Sequence, residues 1–77
     1  MKTFRIFEVS EDSCHLKGKI TFRLDEENTK ILKRLRQAGL KVNGHRNKII
    51  WWDDDYLEII QKRSEKTVAF MEVVYNA

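Results

Sequence analysis

At Asp25 the spacing of apolar residues in this chain changes from one regular period to another. From Leu16 to Leu24 the residues alternate, with Leu16, Ile20, Phe22 and Leu24 on one side and Lys17, Lys19, Thr21 and Arg23 on the other. That is the pattern of a strand with one face in water. Beyond Asp25, Ile31, Leu32, Leu35 and Ala38 fall within one arc at about 100° per residue, and Lys30, Lys33, Arg34, Arg36 and Gln37 take the opposite arc. A solvated strand followed at once by an amphipathic helix points to an α+β domain with a single core.

The flanking residues extend this reading. Asp25 is the expected N-cap of the helix, with Glu26 and Glu27 near its positive end, and Gly39 is the expected residue past its C-terminus. Residues 3–9 are β-branched and aromatic and read as a strand, paired as a hairpin with 16–24. Leu40-Lys41-Val42 is short and extended, and Asn43-Gly44 is a strong hairpin-turn dipeptide. Lys48-Ile49-Ile50-Trp51-Trp52 reads as the next strand. Asp53 or Asp54 is then expected to cap a second short helix, with Tyr56, Leu57, Ile59 and Ile60 turned inward and Glu58 paired with Lys62. Thr67 to Tyr75 is apolar on both faces, as a central strand is. The predicted order is ββαββαβ. The expected core is Ile6 or Phe7 with Ile20, Phe22, Leu24, Ile31, Leu32, Leu35, Ile60, Met71 and Val73.

Seventy-seven residues, 42% of them apolar, are enough for one compact domain over 1–77. No apolar run approaches the roughly 18 residues of a membrane span, and no secretory signal is visible. Cys14 is the only cysteine, which fits a reducing compartment and a soluble cytoplasmic protein. A domain this small gains stability by pairing, so a homodimer is an open alternative.

Three resemblances bear on fold and function. The ββαββαβ order in this length resembles the β-grasp arrangement of ubiquitin-like domains, in which the last strand lies between the first and third. This resemblance implies a fold and no functional residues. Ile20-Thr21-Phe22-Arg23-Leu24-Asp25-Glu26-Glu27, followed by an amphipathic helix, resembles the opening of ribbon-helix-helix repressors. It implies a strand paired across a dimer, with Lys19, Thr21 and Arg23 reading DNA. Gln37 to His45 resembles the helix–strand–Gly–His stretch of HicA-type messenger-RNA-cleaving toxins. It implies a ribonuclease with His45 as its acid or base.

Charge gives the strongest functional signal. Between Asn28 and Trp52 stand seven basic residues, Lys30, Lys33, Arg34, Arg36, Lys41, Arg46 and Lys48, with no carboxylate among them. Asp25-Glu26-Glu27 and Asp53-Asp54-Asp55 bound the block. Segregated positive charge attracts polyanions or acidic protein surfaces. With Lys17, Lys19 and Arg23 these cations are the candidate nucleic-acid contacts. Trp51 and Trp52 must point to opposite faces of a strand. One of them therefore lies on the second face of the sheet, as a base-stacking ring beside Lys17, Lys19, Arg23 and Arg5, or as an interface residue with Phe70 and Val68.

No catalytic residue, metal site or cofactor is expected. Cys14-His15 has no further ligand at zinc-like spacing. The aspartate triplet reads as a cap rather than a Mg²⁺ site. The sequence therefore predicts a non-enzymatic basic module acting on nucleic acid or on a machine that handles it. The first alternative is a modulator or inhibitor of a larger host enzyme, of the sort phages and mobile elements encode. The second is the ribonuclease toxin.

Overall fold

The computed structural model describes residues 1–75. Its elements are β1 (Lys2–Ser10), β2 (Ser13–Phe22), α1 (Asn28–Gln37), β3 (Asn47–Asp53), β4 (Tyr56–Gln61) and β5 (Thr67–Val73). The five strands form one sheet in the order β2-β1-β5-β4-β3, with every neighbouring pair antiparallel. The domain is α+β, with a single helix packed on one face of the sheet. β5 is the middle strand, as its two-sided apolar pattern predicts. It joins the β1–β2 hairpin to the β3–β4 hairpin and brings the two ends of the chain together.

Local chemistry explains the joints. The β1–β2 turn is only Glu11-Asp12, and Glu11 takes a positive φ of 39°. The helix ends in a Schellman motif: Leu40 N–H bonds Leu35 C=O at 3.1 Å and Gly39 N–H bonds Arg36 C=O at 3.1 Å. Gly39 supplies the φ of 104° this needs, and Leu40 is buried with Leu35 in the core.

The core lies between α1 and one side of the sheet. Phe4, Ile6, Ile20, Phe22, Ile31, Leu32, Leu35, Leu40, Val42, Ile49, Leu57, Ile59, Ala69 and Met71 form one cluster, with Trp51, Val68 and Val73 packed against it. Phe4 stacks on Phe22 at 4.9 Å, and Trp51 meets both rings edge-on at 6.0 Å. Seven expected core residues are confirmed: Ile6, Ile20, Phe22, Ile31, Leu32, Leu35 and Met71. Ile60 is buried outside this cluster.

Several expectations are corrected. The segment read as a second helix is strand β4. A short apolar run such as Tyr56-Leu57-Glu58-Ile59-Ile60 fits either period, and its length and β-branched residues favour the strand. Asp53 makes a turn rather than a helix cap: its Oδ1 accepts the N–H of Asp55 at 2.7 Å. Residues 40–42 pair with no strand, because β3 takes β4 as its partner. The helix starts at Asn28 with Glu27 as N-cap and no side-chain capping bond, while Asp25 is held by Arg23 at 3.0 and 3.1 Å.

Leu16 and Leu24 are 59% and 48% exposed. The register of β1 and β2 shifts so that Ile6 faces Gly18 while Phe7 faces Leu16. The extra residue, Lys17, sends Leu16 to the other side of the sheet. The ribbon-helix-helix reading falls as well. β2 pairs with β1 of its own chain, and residues 47–61 form a hairpin rather than a helix. As in the β-grasp arrangement the last strand lies beside the first, but its other neighbour is β4 and a strand stands where the second helix would be.

Leu35 is fully buried under the Schellman turn. Leu35→Ala is expected to lower unfolding free energy by about 2–5 kcal/mol, and Gly39→Ala by about 1–2 kcal/mol through its positive φ alone. Urea titration measures both. A Gly39→Ala protein as stable as the wild type would show that the turn does not constrain the helix end.

Candidate functional site

One helix covers one side of the sheet, and the other side is open. Register places Leu16, Phe7, Phe70, Glu58 and Ile50 in a row across all five strands. With strands about 4.8 Å apart, that row is about 19 Å long. Phe7 stacks on Phe70 at 4.8 Å, and Tyr56 lies 6.0 Å from Phe70. Burial raises the Tyr56 hydroxyl above its ordinary value, with Glu58 and Glu72 adding to the shift. A neighbouring row holds Lys19, Arg5, Glu72 and Tyr56. Lys19 and Arg5 are thus directly opposite each other, an unfavourable like-charge pair.

The two tryptophans divide as strand geometry requires. Trp51 lies on the helix side, half-buried, and its indole N–H bonds Asn28 Oδ1 at 3.1 Å. Trp52 is 62% exposed, and its N–H donates to Glu58 Oε1 at 2.7 Å. Glu58 also accepts from Thr67 Oγ1 at 2.7 Å, so it does not pair with Lys62. Trp52 is on edge strand β3, at the opposite border of the sheet from Lys19, so it does not sit beside the β2 cations. Val68 is not its neighbour either. A register shift between Ile59 and Ile60 makes Val68 the extra residue of β5, and it packs on the helix side.

The continuous basic block of the sequence is split in space. Lys30, Lys33 and Arg36 line the outer arc of α1. Arg34 is structural: it bonds Glu26 at 3.1 Å and Thr21 C=O at 2.7 Å, tying helix to strand. Arg23 is occupied by Asp25, and Lys17 lies 3.3 Å from Glu8. Lys19 and Lys48 emerge on the open face, at opposite edges.

Lys41 and Arg46 lie at one end of the sheet, where the chain also brings His45, Lys62 and Arg63. The 43–47 loop is held by its own asparagines. Asn43 Oδ1 accepts the N–H groups of His45 and Arg46 at 2.9 and 2.8 Å, and buried Asn47 accepts Asn43 N–H at 3.0 Å. Lys62 fastens this loop to the β4–β5 turn, its N–H bonding Arg46 C=O and its Nζ bonding Gly44 C=O, both at 2.8 Å. From the sequence Lys62 is expected only as the partner of Glu58, and Arg63 carries no expectation. Their signal is the pair of adjacent cations at the end of an apolar run, visible once that run is a strand ending in a turn.

The opposite end of the sheet is acidic and closed by a clasp. Asp55, in the β3–β4 turn, pairs with Lys2 through Oδ1 and accepts the Tyr75 hydroxyl through Oδ2 at 2.6 Å. The bond from Lys2, then that from Tyr75, holds the Asp55 carboxyl below its ordinary 3.8. The bond to Asp55 raises the Tyr75 hydroxyl above its ordinary 10.0. Among the described residues no three His, Cys, Asp or Glu side chains come together as metal ligands. No helix is long and apolar enough to cross a membrane. Comparison with family models, curated proteins and solved structures finds no match for this chain, so the functional reading rests on geometry and charge.

The clasp makes stability depend on pH at both extremes. Asp55 contributes above the ordinary carboxylate value, and its contribution is lost as pH falls through its lowered value. Tyr75 contributes below the ordinary phenol value, and its contribution is lost as pH climbs through its raised value. Asp55→Asn should flatten the melting-temperature profile at both ends, and Tyr75→Phe mainly the alkaline end. Profiles parallel to the wild type would show that the clasp is not formed in solution.

Proposed function

We propose that this chain is a non-enzymatic module that binds single-stranded nucleic acid across the open face of its sheet. The observation that carries this reading is that face itself: half-buried Phe7, Phe70 and Tyr56 with exposed Leu16 and Trp52 run across the strands around Glu58 and Glu72, with cations at both borders. Lys48 stands at the β3 edge, and Arg5 and Lys19 at the β1–β2 edge. A strand of nucleic acid crossing between them would lay bases over Trp52 and the Phe70–Phe7 pair. Its phosphates would meet cations at each side. Stacking is sequence-tolerant because every base has a π-face, and phosphate contacts add affinity without sequence choice.

The helix cations serve this reading less well. Lys30, Lys33 and Arg36 lie on the side of the molecule away from the rings, so one short strand does not reach both surfaces. The chemistry of a ribonuclease finds no support around His45, whose neighbours are cations and whose loop supplies no carboxylate to orient its ring. Docking on an acidic protein surface uses the same cations but makes no use of a stacking ring.

Trp52 lies outside the core, so Trp52→Ala should fold normally. It should weaken binding of a single-stranded oligonucleotide by about 1–3 kcal/mol. In the wild type the same oligonucleotide should quench indole fluorescence. Lys48→Gln should lower the salt slope by about 0.7 unit, one phosphate contact. Gln at positions 30, 33 and 36 together should leave both unchanged. Binding abolished by the helix triple and untouched by Trp52→Ala would move the interface to α1. Loss of a dimer in Trp52→Ala, with no oligonucleotide binding in either protein, would make the open face a self-association surface.

A further inference from the structure

We infer that the basic end of the sheet is a site for a terminal phosphate monoester. Resting on the reading above, its natural carrier is the phosphorylated end of a nucleic-acid strand. His45, Arg46, Gln61, Lys62 and Arg63 line a cleft of about 400 Å³. All five residues are exposed, so the cleft is shallow and open to solvent. Three of its five lining residues are cations and none is a carboxylate. Elsewhere the cations of this protein are often neutralised, as at Glu8–Lys17, Arg23–Asp25, Arg34–Glu26 and Lys2–Asp55. The side chains of Arg46 and Arg63 have no hydrogen-bonding partner among the described residues.

The cleft is built rather than incidental. Its two walls are separate loops, bound to each other by the backbone and side-chain bonds of Lys62 and shaped by the Asn43 turn. Gln61 is oriented as well: Ser64 Oγ donates to its Oε1 at 2.8 Å, which leaves its amide NH₂ as the polar group available to a ligand. A phosphate monoester carries up to two negative charges and three free oxygens, whereas an internal diester carries one charge and two, so a cluster of donors and cations favours the monoester. The cleft also adjoins the start of β3, whose residue Lys48 opens the path onto the ring-bearing face. A strand end seated here would therefore place its following nucleotides along that path.

Two titrations test this. Inorganic phosphate, at constant ionic strength, should produce saturable amide shifts confined to residues 43–47 and 61–64, and the Arg46→Gln/Arg63→Gln protein should lose them. Oligonucleotides of one sequence, ending in hydroxyl or in phosphate at the 5′ or 3′ end, should differ in affinity by about tenfold in favour of one phosphorylated end. That preference should vanish in the double variant while hydroxyl-ended oligonucleotide still quenches Trp52. Shifts spread over all surface cations, or equal affinity for every end, would overturn the inference and leave sheet-face binding intact. Saturation by phosphate without binding of any oligonucleotide would uphold the phosphate site and overturn the nucleic-acid reading.

Discussion

A helix of ten residues has to serve a sheet of five strands. At about 1.5 Å per residue it is about 15 Å long, and the sheet is wider than that. It can seal one side only, and not all of that side alone. The remainder is filled by Leu40 and Val42, which follow the helix without regular structure yet are buried in the same cluster. The Schellman turn at Gly39 makes this possible, because it reverses the chain at the helix end and returns Leu40 to the core beside Leu35. With those apolar residues committed there, no further element among the described residues covers the other side. The open, ring-bearing face follows from this arithmetic as much as from any functional demand.

Much of the arrangement is legible in the sequence where one physical period dominates. Ile20 and Phe22 on alternate positions, the Ile31–Leu32–Leu35 arc and the two-sided pattern of Thr67–Val73 each admit one element type, and each is found. Legibility fails where two periods fit. Tyr56 to Ile60 satisfies helix and strand alike, and the preceding aspartates, which can cap a helix, can equally bend a hairpin. A helix there leaves β3 without its partner and puts Tyr56 and Ile60 on the same side as Leu57 and Ile59, whereas the strand sends only Leu57 and Ile59 into the main core. The bulge at Lys17 is a second failure of the same origin. Alternation assumes an unbroken register, and one inserted residue reverses the facing of everything beyond it. For the open face, the division of Trp51 from Trp52 is as alternation expects, although a register shift makes Trp52 the extra residue of β3. Which cations accompany Trp52 needed the strand order, and no local pattern encodes that.

Charge shows the same limit from another side. A carboxylate-free block of seven cations looks like one patch in sequence, but helix, loop and edge strand carry its members to different surfaces. Arg34 illustrates why counting cations overstates a binding face. Its guanidinium bridges Glu26 and the Thr21 carbonyl, so it fixes the helix to β2 and is not free for a ligand. Lys17 and Arg23 are likewise engaged by carboxylates, though such exposed pairs hold weakly and yield to a stronger anion.

What remains after these pairings is a molecule with unlike ends. Antiparallel pairing puts the Asp53–Asp55 turn, the Asp25–Glu27 approach to the helix and the N-terminus of β1 at one end of the sheet. It puts the 43–47 loop and the β4–β5 turn at the other. The second end also carries the Glu11-Asp12 turn and Glu65, but the cations without a carboxylate partner, Arg46 and Arg63, stand there, so a polyanion approaching the molecule meets an uneven field. Such a field steers the anion to the basic end before any ring is touched. Under the proposed function, phosphate capture would precede stacking.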